Sequence, residues 1–153
     1  MIQKNEKLVC QNKRAYHDYY IDEEIEAGIV LKGTEIKSVR LGKVNLQDSY
    51  CYFKDHELFI IGMHISPYEK GNIFNHDADA TRKLLVHKKE IIKLSQKIQK
   101  DGYTLIPLRV VIRNSIAKVD IALAKGKKLY DKREDMKKEE IKRETRKSMM
   151  RDA

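Results

Sequence analysis

Between Tyr19 and Leu31 the apolar residues Ile21, Ile25, Ile29 and Leu31 fall at even spacings, in a stretch enriched in aromatic and β-branched side chains. A period of two describes a strand, and its length predicts a long one, with a bend or bulge where Asp22, Glu23, Glu24 and Glu26 crowd the middle. Two further apolar runs, Ser49–Lys54 and Glu57–Ile65, are joined at Asp55-His56 and predict a hairpin. A second strand pair is expected at Tyr103–Arg113 and Ile116–Ala124, with Asn114-Ser115 as the turn and Pro107 marking an edge or bulge.

Helical signals are fewer. Around Gly33–Gly42, Thr34 is expected to cap a short helix, Glu35 suits its first turn, and Ile36 and Val39 are expected to share its inner face. Lys37 and Arg40 then point outward. From Ala80 to Lys100, Leu84, Leu85, Ile91, Leu94 and Ile98 recur at three- and four-residue steps and predict a longer helix, ended by Asp101-Gly102. Residues 1–15 read as an irregular arm, and Ser66–Asp79 as a loop.

Residues 131–153 hold nine Lys or Arg and seven Asp or Glu, with only Met136, Ile141, Met149, Met150 and Ala153 apolar. That is too few for an amphipathic stripe, and charge pairs such as Glu134/Lys138 add only about 0.2–0.5 kcal/mol each. A tail disordered alone and helical on a partner is expected. The chain thus divides into a domain at 1–130 and a tail at 131–153. Five or six strands in so short a domain suggest a mainly β fold: a closed antiparallel OB-like β-barrel of about six strands, with short flanking α-helices and a basic C-terminal tail.

Charge narrows the function. Thirty-two Lys and Arg against 23 Asp and Glu give +9 over 153 residues, a balance that suits a polyanionic partner. No run of about 18 apolar residues is present to span a membrane, and Met1–Gln11 lacks the apolar core of a secretory signal, so a cytoplasmic protein is expected. Cys10 and Cys51 have no zinc-type spacing and read as free thiols.

Nucleotide-loop, nucleophile-elbow and zinc-protease motifs are missing, and His17, His56, His64, His76 and His87 are scattered. His76-Asp77-Ala78-Asp79 reads as a polar loop, and Glu23, Glu24 and Glu26 as a solvated strand face. No catalysis, metal or cofactor is expected. The sharpest feature is Lys118–Arg133, with six cations against two anions, Gly126 where backbone can approach phosphate, and Tyr130 on which a base could stack. Asn12-Lys13-Arg14-Ala15-Tyr16-His17 is a second basic–aromatic cluster, and Lys37, Arg40 and Lys43 are a third group of cations. A general RNA-binding or ribosomal protein fits these features too; an RNA-processing enzyme using the three glutamates with a metal fits them less well.

Several blocks, in order, resemble the SmpB family: Asn12-Lys13-Arg14-Ala15 with His17, Ile25-Glu26-Ala27-Gly28-Ile29, Gly33–Arg40, Asn45–Tyr50, Arg82–Leu85, Gly102-Tyr103-Thr104, and Ala124–Lys128 followed by Asp131-Lys132-Arg133-Glu134. The likeness covers about residues 8 to 134. It implies binding to the tRNA-like domain of transfer-messenger RNA (tmRNA) and its delivery to stalled ribosomes, the protein replacing the missing anticodon arm. The implied partners are tmRNA, the 30S ribosomal subunit with its 16S rRNA, and, through tmRNA, elongation factor Tu and alanyl-tRNA synthetase.

By the same resemblance, Asn12, Glu26, Arg40, Leu85, Lys118, Lys125, Gly126, Lys127 and Lys128 face tmRNA, and we group Arg14 and Lys37 with them. Glu26 would accept from base or ribose donors or orient neighbouring cations. His17 and Tyr130 would approach the decoding site, and Asp131, Lys132 and Arg133 would begin the tail along the empty mRNA path.

Overall fold

The computed structural model describes residues 6–127 and shows a mainly β protein of nine strands and three α-helices. The strands are β1 (Glu6–Gln11), β2 (Tyr19–Ile29), β3 (Val44–Asn45), β4 (Tyr50–Lys54), β5 (Glu57–Ile61), β6 (His64–Ile65), β7 (Arg82–Leu85), β8 (Thr104–Arg113) and β9 (Ile116–Gly126). The helices are α1 (Lys13–Asp18), α2 (Gly33–Arg40) and α3 (Lys88–Asp101), and a 3₁₀ segment covers Glu69–Phe74. All the pairings are antiparallel. They run β1-β8-β4-β5-β7-β2-β9, and β9 also pairs with β8. β3 and β6 form a separate two-stranded sheet. Among the described residues no helix is long and apolar enough to cross a membrane.

Two-residue turns set the hairpins. Asp55 and His56 between β4 and β5, and Asn114 and Ser115 between β8 and β9, all have positive φ. That is the conformation whose twist matches the flanking strands. The long hairpin pairs Arg113 with Ile116 and, past a bulge between Pro107 and Arg109, continues to Thr104 opposite Ala124.

The bulge has a packing consequence. Leu105 and Val110 are five residues apart, yet both enter the main core with Ala27, Leu58, Ile60, Leu84, Val119 and Ile121. One extra residue in the strand reverses which side chains face inward. Ile106 and Leu108 instead meet Ala122, Ala124 and Ala15 in a smaller cluster beneath α1. β2 does the same: its register shifts between Ile21 and Glu24, so Ile25 and Ile29 pack on the main core while Ile21 packs on the second cluster. The even spacing therefore hides a change of face.

Four sequence expectations are corrected. Glu57–Ile65 is not one strand: β5 ends at Ile61, Gly62 has φ of 84°, and His64–Ile65 pairs with β3 in the second sheet. Residues 1–15 are not wholly irregular, because Glu6–Gln11 forms β1 against the outer edge of β8 and α1 follows at once. Ala80–Lys100 is not one helix. Arg82 and Leu84 are buried while Leu85 is exposed, an alternation that makes β7, and the helix begins only at Lys88. In α2 the buried side chains are Glu35, Ser38 and Val39, and Ile36 lies at the surface. Glu35 reaches the backbone N–H of Lys32 at 2.8 Å and pairs with Arg82, so the capping is its own and not that of Thr34. All the guanidinium nitrogens of Arg82 are engaged, donating to the carbonyls of Met63, Ala80, Asp77 and Ala78 besides Glu35. A buried charge tolerates burial only when so completely paired.

Candidate nucleic-acid interface

Strand register builds the first surface. Gly28 of β2 lies opposite Leu85 of β7 on one side and Lys118 of β9 on the other, so the three form one row across three strands. A Cβ on Gly28 would sit 3.3 Å from that of Leu85, tighter than an ordinary contact, so glycine keeps the row close. Glu26, two residues away, joins Leu85 and Lys118 in lining a groove of about 350 Å³, which His87 and Glu90 at the start of α3 also line. Leu85 is 52% exposed, an apolar side chain presented to solvent beside a cation and a carboxylate. The Lys118 ammonium lies 3.9 Å from Glu26 Oε1. Such a groove offers a partner a positive charge, a hydrogen-bond acceptor and an exposed apolar contact face.

The other end of β9 holds the second surface. Seven steps along the strand from Lys118 to Lys125 span about 23 Å. There Gly126 pairs with Tyr19, and the Lys127 N–H donates to Asp18 O at 2.8 Å. Lys125 Nζ lies 4.6 Å above the Tyr103 ring and Lys127 Nζ 5.0 Å above that of Tyr20. These contacts hold two ammonium groups at the surface against aromatic faces. His17 is exposed in the last turn of α1.

Asn12 and Arg14 line a second cleft, of about 340 Å³, with Tyr50 and Thr104. Asn12 also ties the start of α1 to β8, donating through Nδ2 to Pro107 O at 3.1 Å and through its backbone to Leu108 O at 2.7 Å. Lys37 and Arg40 are exposed on α2 and line neither cleft. Lys37 lies 5.2 Å above the Tyr68 ring, and the Arg40 carbonyl accepts from Lys7. The candidates Lys128, Tyr130, Asp131, Lys132 and Arg133, with the tail at 131–153, lie outside the described residues.

The acidic stretch of β2 is not a plain solvated face. Glu23 binds Lys93 and Lys97 of α3 at 2.8 and 3.2 Å, which hold its carboxyl below the usual range. Glu24 meets Arg109 at 3.4 Å, and Glu26 meets Arg113 at 2.7 Å. The bulge at Ile21–Glu24 and the changing neighbours of β2 send the three carboxylates to different cations.

Sequence reading missed the group that organises this face. Asp120 of β9 is buried and accepts from Arg109 at 2.9 Å and from Arg113 at 2.8 and 3.0 Å. Burial pushes its pKa up, but the two guanidinium groups outweigh burial and hold the carboxyl below its ordinary value. Arg113 is raised in turn, chiefly by Asp120. A two-residue turn at Asn114-Ser115 already places Arg109 opposite Asp120, so the signal lay in the hairpin register. Among the described residues no group of three or more His, Cys, Asp and Glu could hold a metal ion.

Fold and surface define a basic, mainly β binding protein whose grooves pair cations with aromatic, apolar and acceptor groups. The family model described as "SmpB protein" matches residues 9–151, reaching almost to the end of the chain. An SsrA-binding protein of Geotalea uraniireducens is 59% identical over 140 residues, covering 92% of this chain and 93% of that one. Another, from Caldicellulosiruptor bescii, is 57% identical over 147 residues, covering 96% and 93%. Among solved structures, a chain described as "tmRNA-SmpB: a journey to the center of the bacterial ribosome" superposes with a TM-score of 0.65 at 48% identity, covering 78% of this chain and 85% of that one. The chain belongs to the SmpB family.

Proposed function

We propose that this protein binds the tRNA-like domain of tmRNA and carries it to the A site of stalled ribosomes, acting in the cytoplasm as an RNA-binding factor without catalysis. The six-strand circuit β8-β4-β5-β7-β2-β9 is the wall of a closed OB-like barrel, and residues 1–130 are its domain. The observation that carries the reading is the row Leu85–Gly28–Lys118 with Glu26 beside it. Folded RNA is recognised by shape, through phosphates, 2′-hydroxyls and bases that can be contacted or stacked. Lys118 suits a phosphate, Glu26 a base N–H or ribose hydroxyl, and Leu85 the face of a base or sugar. Asn12, Arg14, Lys37, Arg40 and Lys125–Lys128 extend the tmRNA-facing set. His17, Tyr130, Asp131, Lys132 and Arg133 meet the decoding site and mRNA path of the 30S subunit and its 16S rRNA.

Binding of a transcript of the tRNA-like domain tests the assignment. Leu85→Glu and Lys118→Glu are each expected to weaken it about tenfold or more, with the fold intact because Leu85 is exposed and Lys118 only part-buried. Unchanged affinity in both variants would remove the groove from the interface.

A further inference from the structure

The geometry points to Arg113 as the positioning residue for Glu26: it fixes the carboxylate so that Oε1 remains turned toward the groove as an acceptor for RNA. This inference rests on the reading that Glu26 contacts the RNA.

Register creates a problem at this place. Glu26 of β2 and Asp120 of β9 are directly opposite each other, and like charges so paired repel. Left alone, Glu26 would swing away from Asp120, toward solvent or toward Lys118. Arg113 removes the conflict. Its Nη1 lies 2.7 Å from Glu26 Oε2 and 2.8 Å from Asp120 Oδ1. Its Nη2 lies 3.0 Å from Asp120 Oδ2 and 2.8 Å from Glu6 Oε1, and its Nε donates to the same Glu6 oxygen at 3.0 Å. Carboxylates from three strands, β1, β2 and β9, thus converge on one guanidinium.

Two consequences follow. Each nitrogen of Arg113 already faces a carboxylate oxygen, so the residue is spent within the protein and is poorly placed to bind a phosphate, although it is an arginine on a basic protein. Glu26, for its part, is held through one oxygen only. Oε2 accepts from Arg113 Nη1, whereas the Lys118 ammonium lies 3.9 Å from Oε1, beyond hydrogen-bond distance. The oxygen nearer the groove residue Lys118 keeps its accepting capacity. A planar, forked donor suits this task, because an ammonium could not hold Asp120 and Glu26 at fixed angles together.

A double-mutant cycle tests the assignment, with the tRNA-like domain transcript as probe, affinities measured over a range of salt, and folding followed by circular dichroism. Arg113→Gln and Glu26→Gln are each expected to weaken binding about tenfold, and the double variant no more than either alone. The slope of log affinity against log salt stays at the wild-type value in Arg113→Gln. If that variant does not fold, Arg113→Lys is used with the same expectations. Additive losses with a slope smaller by about one unit would make Arg113 a phosphate ligand and overturn the inference. So would normal binding by Arg113→Gln alongside weakened binding by Glu26→Gln. Normal binding by Glu26→Gln would instead sink the reading of Glu26, and the role of Arg113 with it.

Discussion

Asp120 sits between two arginines and opposite a glutamate, and its ionisation holds that arrangement together. Its folded pKa lies below the ordinary value, so its contribution to stability is present above the unfolded value of about 3.9 and is lost as pH falls through the folded one. Unfolding by urea should therefore show stability dropping below about pH 4, with the drop reduced in Asp120→Asn. At neutral pH that variant should be less stable by roughly 1–3 kcal/mol, since Arg109 and Arg113 lose a charged acceptor. Reading residues one at a time singled out those with an evident chemistry, such as Lys118, Lys125 and Gly126. It missed Arg109, Arg113 and Asp120 because their meaning is a cross-strand relation. It also took Glu23, Glu24 and Glu26 as equivalent, when a bulge gives each a different partner.

At the scale of elements, hairpins were the most legible part of the chain. Asp55-His56 and Asn114-Ser115 are two-residue loops between β-rich runs, and both adopt the left-handed backbone expected of such turns. Ser115 has φ of 67°, a conformation costly for a residue with a Cβ. Ser115→Gly should thus raise stability by about 0.5 kcal/mol, seen as a higher urea midpoint at unchanged slope. β7 was hidden because Leu84 and Leu85 continue, by spacing, the apolar period of α3. Nothing local marks the break at His87, and Arg82 is turned inward by Glu35, 47 residues away, together with the carbonyls of Met63, Asp77, Ala78 and Ala80. β1 was hidden for another reason: it is an edge strand with Leu8 exposed and a bulge at Leu8–Cys10, so it shows no clean alternation.

For the whole molecule, the distribution of charge separates two tasks. Residues 131–153, with nine Lys or Arg and seven Asp or Glu, carry a net +2, leaving +7 on residues 1–130. Removing the tail leaves most of the positive field on the domain, and with it the electrostatic share of RNA affinity. In the proposed account the domain holds tmRNA, while the cations of residues 131–153 meet rRNA phosphates along a vacant mRNA path. Truncation after Tyr130 should accordingly leave tmRNA affinity almost unchanged and abolish peptide tagging in a reconstituted translation system with stalled ribosomes; equal loss of both would contradict the division. The central claim is that the domain distinguishes one folded RNA from others. Competition binding of the intact protein at near-physiological salt, between the tRNA-like domain transcript and bulk tRNA, measures this directly. The account predicts that bulk tRNA displaces the transcript only at on the order of a hundredfold excess or more, and displacement at equal concentrations would contradict it.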